Sequence, residues 1–486
     1  MPEEPTDRSR VRVVVVGDVA HVVVDVVLEF EVLRDDAGQA RVHVRELVGR
    51  RSDSVATPDD HRDRADLALR DPADVVLVEP RRDPRGFAQI TAVHLFVVER
   101  QPVPFLDTVQ GMVNTQGMKG LILAGGAGTR LRPITHTSAK QLVPIANKPI
   151  IFYAIEHMAG AGVKQIGIVV GVDAAAAEIR DTVGDGSRFG VEIAYIPQDA
   201  PLGLAHCVLI ARDFLGEDDF VMYLGDNMLQ QNLRTFVEAF EAARHPQQVL
   251  GDGDRLPPVA QILLAHVDDP RQFGVAAFDA DGHIVQLVEK PSDPPSDLAL
   301  AGVYLFDPTI HAAVRAIEPS GRGELEITDA IQWLIKNGRR VRTELLTGWW
   351  IDTGKKDPLL ECNFLVLDTI AVRVDGTLDD RSRVEGRVII EAGAQLTNSV
   401  VRGPAIIGAG TRLVDTYVGP YTSIGAGCEL VDAEIEHSVV LDRSRILGVH
   451  RIKDSLLGRE VEVVRSGNKP HATRLMLGDH SRADLE

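Results

Sequence analysis

Gly125, Gly126 and Gly128, followed at once by Thr129 and Arg130, are the residues on which chemistry can first be read. Glycine-flanked N–H groups close on a phosphate chain with no Cβ in the way, and the threonine and arginine add a hydroxyl and a delocalised cation there. A triphosphate suits that cradle. The spacing is neither the G-x-x-x-x-G-K-[ST] loop nor the G-x-G-x-x-G fingerprint, so the glycines alone do not choose a ligand. Two acids complement them. Asp226 follows the apolar run 220–224 and Gly225, the position where open α/β sheets place ligands, and Asp352 lies between aromatics and a glycine in Gly348-Trp-Trp-Ile-Asp-Thr-Gly354. Isolated acids are usually surface residues, but a pair at such positions suits Mg²⁺, which favours one or two carboxylates, phosphate oxygens and water. Gln198, in Gln198-Asp-Ala-Pro-Leu-Gly-Leu-Ala205, offers an amide that can pair with a carbonyl and an N–H of a base edge. Gly203 beside it lets a flat ring approach the backbone. Glu289 and Lys290 could accept sugar hydroxyls and a sugar phosphate, although taken alone they are better explained as a surface ion pair.

These residues need a scaffold, and the alternation of patterns around them predicts one. Residues 118–124 form an apolar run that breaks into the glycine loop, the strand-then-loop order of a nucleotide-binding α/β unit. Strand-like runs follow at 166–170, 191–196, 220–224, 262–267 and 302–306, interleaved with helical patterns at 150–161 and 325–337. A largely parallel, three-layer, Rossmann-like sheet domain is expected. The chain as a whole has 486 residues, about three times the usual single-domain length, so two or three cores are expected. With 44% hydrophobic and 25% charged residues, wholesale disorder is excluded. A formal charge of -19 argues against a general nucleic-acid or anionic-membrane binder, so any phosphate site must be local. The three cysteines, Cys207, Cys362 and Cys428, show neither zinc spacing nor a disulfide framework, which fits a reducing cytoplasm. The valine-rich runs near the N-terminus are interrupted by Asp18, His21 and Asp25 and fall short of the roughly 18 apolar residues of a membrane helix. The acidic start, with Glu3, Glu4 and Asp7, does not read as a signal peptide.

Reading on from the glycine loop gives Leu123-Ala-Gly-Gly-Ala-Gly-Thr-Arg-Leu-Arg-Pro133, then Thr135, Ser138, Lys140, Gln141, Leu142, Pro144 and Asn147-Lys-Pro149. This resembles the signature of sugar-1-phosphate nucleotidylyltransferases, and the Ser-x-Lys-Gln-Leu form is most similar to the glucose-1-phosphate thymidylyltransferase branch. The resemblance covers roughly residues 118–365. It implies Mg²⁺-dependent nucleotidyl transfer from dTTP to α-D-glucose 1-phosphate, giving dTDP-glucose and pyrophosphate for deoxysugar nucleotide synthesis. On it, Arg130, Lys140 and Lys290 become catalytic cations, and Gly125, Gly126, Gly128 and Thr129 hold the nucleotide. Gln198 and Gly203 meet the thymine, and Asp226 and Asp352 hold the metal. Gly274, Glu289, Gly302, Tyr304, Arg322 and Trp350 match positions lining the sugar or its phosphate. Phe273 departs from the tyrosine common in short-form members, which removes one hydroxyl contact. A UTP-dependent enzyme, another hexose 1-phosphate, or a non-catalytic nucleotide-sugar sensor or scaffold stays open at this stage.

Two further segments flank this unit. Residues 390–396, 407–413 and 424–430 are three versions of one heptapeptide, each starting seventeen residues after the last, with Ile and Leu six apart. That period suits a parallel β-helix of triangular section, in the resemblance a left-handed one, and makes the chain similar to the long form of the family. A structural or oligomerising module is its commonest use. Acyl transfer, with His437 or His450, is the alternative. A homo-oligomer follows from the resemblance only. Upstream, valine-rich runs at 11–16, 22–33, 75–78 and 90–98 read as strands of a small accessory β-domain, while a translated leader before Met112 or Met118 explains them as well. The expected division is an N-terminal extension 1–117, a nucleotidyltransferase domain 118–365, and a β-helix with C-terminal tail 366–486.

Overall fold

The computed structural model describes residues 117–126, 128–244 and 256–465, with short strand segments upstream. Met1–Val103 forms one compact unit and Pro104–Glu486 another. In the first unit, Asp25–Arg34 pairs antiparallel with Ala40–Arg50, which takes up most of the 22–33 run. The runs expected at 11–16, 75–78 and 90–98, and the tail from 466, lie outside the described residues.

The second unit begins with strand β1 (Lys119–Leu123), followed by β2 (Gln165–Val170), β3 (Glu192–Pro197) and β4 (Phe220–Leu224). These four pair in parallel in the order β3-β2-β1-β4. Their near-continuous apolar runs follow from burial on both faces. Ile122 and Tyr223 face one core with Ile166, Ile168 and helix α1 (Ile150–Gly160), whereas Leu121, Leu123, Phe220 and Met222 face a second core on the other side. Helix α2 (Ala174–Val183) starts where the Asp173 side chain accepts the Ala176 N–H and stops at Gly184, whose positive φ of 72° ends the helix.

Beyond β4 the sheet becomes mixed rather than largely parallel. A short strand β5 (Asn227–Leu229) leaves the main sheet, and β6 (Ala260–His266), β7 (Gly274–Phe278), β8 (Ile284–Glu289), β9 (Leu298–Phe306) and β10 (Val341–Leu345) complete it. β9 inserts antiparallel between β4 and β6, and β7 pairs antiparallel with β8 and β9. The β7–β8 connection is a short hairpin, which permits antiparallel pairing without a crossover helix. Strand β11 (Trp350–Asp352) then pairs with β5 in a small separate ladder.

After helix α3 (Lys356–Leu367) the chain winds into a parallel β-helix of three sheets carrying six, six and five strands. Ile390, Ile407 and Ile424 stack on one face and Leu396, Leu413 and Leu430 on the next, all buried at 2% exposure or less, as the heptapeptides predict. The corner residues Asn398, Asp415 and Asp432 hold positive φ values of 47°, 49° and 50°, which short polar side chains tolerate. The seventeen-residue period is not constant. Ser423 pairs with Val439, sixteen residues on, because His437 turns a corner that Pro420 and Tyr421 share in the preceding coil.

The β-helix lies against the sheet unit through α3. Asn363, 1% exposed, accepts from the Ala146 N–H at 2.9 Å and the Ser423 hydroxyl at 2.8 Å, and Asn147 donates to the Ile424 carbonyl at 2.7 Å. Around these bonds Leu131, Ile145, Met228, Ile351 and Leu360 pack with Val439 and Leu441 of the β-helix.

One buried group should make this fold acid-sensitive. His311 is 2% exposed, stacks on Phe220 at 6.2 Å, and has no partner for either ring nitrogen among the described residues. Burial first, then the nearby Arg212 charge, pushes its pKa down from 6.5 to about 4. The unfolded chain therefore binds a proton between those values that the folded chain refuses. The stabilisation from the neutral ring is complete above pH 6.5 and is lost as pH falls toward about 4, at up to ~1.4 kcal/mol per pH unit. Replacing His311→Leu should shrink the drop in thermal midpoint between pH 7 and pH 5. An equal drop in both proteins, measured by calorimetry, would show that His311 is not the titrating group.

Candidate active site

The glycine loop leaves the carboxyl end of β1, and Asp226 lies just beyond the end of β4, so both sit at the edge of the adjacent parallel pair at the sheet's centre. In sheets of this kind ligands occupy that crevice. Gly126 is exposed, and a Cβ there would meet nothing within 4 Å, so no packing within the protein demands glycine at that position. Gly128 is different. Its φ is 59°, its carbonyl accepts from the Thr135 hydroxyl at 2.7 Å, and a Cβ would press on Lys140 and Thr135. Thr129 and Arg130 follow in an exposed 3₁₀ turn, Thr129–Leu131.

The β5–β11 ladder brings the two acids together although they are far apart in sequence. Asn227 pairs with Asp352, Met228 with Ile351 and Leu229 with Trp350. Alternation then turns Met228 and Ile351 toward the β-helix contact, while Leu229 and Trp350 pack toward the sheet core. Thr353 locks the strand end by donating its N–H and hydroxyl to the Asp226 carbonyl at 3.1 and 2.7 Å. Lys140, only 7% exposed, forms a close ion pair with Asp226 and places its ammonium 3.9 Å from Asp352. Arg130 lies 3.7 Å from the other Asp352 oxygen. The remaining glycine of the motif, Gly354, leaves room for this group: a Cβ there would lie 3.0 Å from Arg130, Asp352 and Lys140 alike.

Electrostatics follow from that crowding. Burial works to raise the Asp226 carboxyl, but Lys140 against it and the Asn227 amide at 3.0 Å hold it below the usual range. Asp352 is pushed up, first by burial and then by the Asp226 charge. Two carboxylates thus converge on one cation, and that donor set fits a hard divalent ion. A second acidic group, Asp279, Asp281 and His283, is exposed in the β7–β8 turn, where Asp279 is occupied accepting the N–H groups of Asp281 and His283.

Gln198, 6% exposed, lies against Gly125, where a Cβ would come within 2.8 Å of its Oε1. Its Nε2 faces His206 Nδ1 at 3.1 Å and Cys207 Sγ at 3.3 Å. Burial pushes the Cys207 thiol up to about 12, so it remains neutral. Gly203 has φ 101°, and a Cβ there would come within 2.4 Å of the Leu325 carbonyl oxygen, so contact with a neighbouring backbone is enough to require glycine.

A second group forms where β7 meets β8. Gly274 pairs with Glu289, which accepts from Thr328 and Arg322, both at 3.3 Å, and lies 3.5 Å from Lys290. Burial raises the Glu289 carboxyl despite Lys290 and Arg322. Trp350 and Gly302 are tied to the first group through Asn227: the indole N–H donates to Asn227 Oδ1 at 2.6 Å, the atom that a Cβ on Gly302 would strike at 2.7 Å. Tyr304 points into the core, 3% exposed and stacked on Phe306 at 5.9 Å. Phe273 meets Trp350 edge-on at 5.2 Å. Arg130, Asp352 and Trp350 line one cleft of about 540 Å³, and Glu289, Lys290 and Arg322 another of about 730 Å³.

Sequence reading passed over the residues that hold these groups in place, namely Asn227, Thr353, His206, Cys207, and Glu178, which accepts the Ala139 N–H next to Lys140 at 2.8 Å. Asn227 and Thr353 each directly follow a candidate metal ligand, and His206 and Cys207 directly follow the Gln198 motif, so adjacency was the available signal. Glu178 had none.

The model of the Nucleotidyl transferase family matches residues 119–369. A Streptomyces griseus protein named glucose-1-phosphate thymidylyltransferase is 56% identical over 368 residues, 76% of this chain and 99% of the relative. One of the same name from Streptomyces antibioticus is 53% identical over 369 residues, 76% of this chain and all of the relative. The low-salt glycan biosynthesis nucleotidyltransferase Agl11 of Haloferax volcanii is 46% identical, again over 76% of this chain and all of the relative. Each of these matches takes in about three quarters of this chain, more than the family model covers, and this chain belongs to the nucleotidyl transferase family, among the glucose-1-phosphate thymidylyltransferases.

Proposed function

We propose that this protein joins dTTP to α-D-glucose 1-phosphate, releasing pyrophosphate and forming dTDP-glucose. The observation that carries the reading is the convergence of Arg130, Lys140, Asp226 and Asp352 beside the glycine loop, within a chain 56% identical to a protein named for that activity.

A sugar-phosphate oxygen attacks the α-phosphorus in line while pyrophosphate leaves from the opposite side. The nucleophile is already an anion at neutral pH, so no general base is required. Catalysis then consists of alignment and of neutralising charge in a crowded phosphate site. Gly125, Gly126, Gly128 and Thr129 hold the triphosphate through the loop, and Arg130 and Lys140 oppose its charge. Gln198 and Gly203 take the base. Lys290 and Arg322 receive the sugar phosphate, with Gly274, Glu289, Gly302, Tyr304 and Trp350 forming the sugar side. Asp226 and Asp352 would hold Mg²⁺, which supplies further neutralisation of phosphate charge when bound. Lys140 bridges those two acids here, so its ammonium is already fixed where phosphate charge is to be met.

No helix among the described residues is long and apolar enough to cross a membrane, and the three cysteines are free and buried. Both facts support a cytoplasmic enzyme with no membrane partner. The three domains of the sequence reading and a homo-oligomer complete the proposal.

Pyrophosphate release by the full chain with Mg²⁺ tests the reading directly, with dTTP and UTP each offered against glucose 1-phosphate and other hexose 1-phosphates. Preference for dTTP with glucose 1-phosphate is expected. Faster release with UTP, or with another sugar, would reassign the substrate. Excess EDTA should abolish turnover, and full activity in its presence would remove the metal. Arg130→Ala and Asp226→Asn should each lower kcat by at least ~10²-fold, the scale of losing one preorganised charge contact. Near-normal steady-state turnover in either variant would overturn its assigned role.

A further inference from the structure

The β-helix touches the loop that carries Lys140 at one charged point and along one apolar strip. Arg459 sits in the last described turn of the β-helix, between strands Leu456–Leu457 and Glu462–Val464. Its Nη1 donates to Glu178 Oε1 at 2.6 Å, across 281 residues of sequence. Glu178 is on α2, and its two oxygens also take two donors from the loop: the Ala139 N–H at 2.8 Å and the Ser138 hydroxyl at 3.1 Å. Ala139 directly precedes Lys140 and caps the 3₁₀ turn Lys140–Leu142. Beside the ion pair, Leu131 and Ile134 of the same loop pack in one cluster with Val439, Leu441 and Leu456 of the β-helix. Gly458 lies against Ile134, with a Cβ there 3.9 Å from its Cγ1.

We infer that Arg459 is a positioning residue for nucleotidyl transfer: through Glu178 the β-helix fixes the Ser138–Lys140 backbone and so the place of the Lys140 ammonium. This rests on the role proposed above for Lys140. The geometry separates position from stability. The Arg459 and Glu178 side chains are 38% and 25% exposed, and exposed ion pairs contribute little to folding. Glu178 nevertheless takes three donors, and without Arg459 it is free to swing toward water and release the Ala139 N–H. Lys140 is itself buried with Asp226, where a small displacement of its backbone cannot be absorbed by solvent. A shift of that kind in a reacting site is costly, since misplacement by about 1 Å can lower rates ~10²-fold. The β-helix thereby acts on the chemistry without offering a group to the substrate.

The test uses the full chain and four variants: Arg459→Ala, Arg459→Lys, Glu178→Gln, and Arg459→Ala combined with Glu178→Gln. Arg459→Ala should lower kcat about 10-fold with dTTP and glucose 1-phosphate while leaving KM for glucose 1-phosphate and the thermal midpoint unchanged. Arg459→Lys, which keeps one charged donor, should recover most of the loss. The double variant should be no slower than Glu178→Gln alone, because both changes break one chain of contacts. Kinetics within twofold of the parent, losses that multiply, or a fallen thermal midpoint with unchanged kinetics would each overturn the inference. Hydrogen exchange of the unliganded protein supplies a readout independent of turnover. Peptides covering residues 134–142 should lose protection in Arg459→Ala, and unchanged protection would reject the coupling. A parent protein inactive on every substrate pair would instead reject the proposed reaction and leave the exchange result to decide this point.

Discussion

The buried Lys140 ammonium is the constraint around which the rest is arranged. A lysine only 7% exposed has lost most of its water and needs carboxylates at hand, and the protein supplies two from distant parts of the chain. That requirement gives the small β5–β11 ladder its part in the site. Pairing Asn227 with Asp352 puts both acids on the same end of one ladder, facing one cation. The pair is unequal. Asp226 takes the ammonium directly and is held ionised, while Asp352, pressed by the same burial and by its neighbour's charge, is displaced upward. An incoming divalent ion would relieve that repulsion more fully than one lysine does.

Holding such a cluster requires walls that do not give, and three layers provide them. On one side the parallel strands end in the glycine loop. On another, Trp350 and Gly302 fix Asn227, so the residue next to Asp226 has no freedom to rotate. The third wall is the β-helix, whose inward aliphatic columns make it stiff and whose outer face packs behind Met228 and Ile351. Asn363 joins the two bodies from within, since its buried amide bonds to both. The repeat is therefore not merely appended: the strand pair bearing Asp352 has its apolar underside covered by it.

Much of this was legible before any coordinates. The first strand and its glycine loop, the strands at 166–170 and 220–224 and the helix at 150–161 all come out as read, because each is a local pattern of apolar runs and breakers. The heptapeptides announced the β-helix for the same reason. What local pattern could not carry was orientation and long-range pairing. Whether the 302–306 strand ran parallel or antiparallel depended on connections rather than on its own residues. The resemblance alone put Tyr304 on the sugar side, since on a strand buried on both faces an aromatic has no periodicity to mark one face as wet. Gly203 shows the converse: a residue noticed for a ligand's sake is also demanded by the Leu325 carbonyl. Glu178 and Arg459 looked like any surface charges, and only their meeting across 281 residues distinguishes them.

Base recognition follows the same logic of groups held from behind. With its Nε2 set between His206 Nδ1 and Cys207 Sγ, the Gln198 amide has its donor side occupied, and Oε1 is left toward the glycine loop. A neutral Cys207 cannot reverse that arrangement by ionising. Under the proposed reading that carbonyl accepts an N–H from the base edge, which thymine and uracil both offer. Such a bond does not see the methyl group. Discrimination between dTTP and UTP must come from apolar contact with that methyl, a term limited to ~1 to 3 kcal/mol.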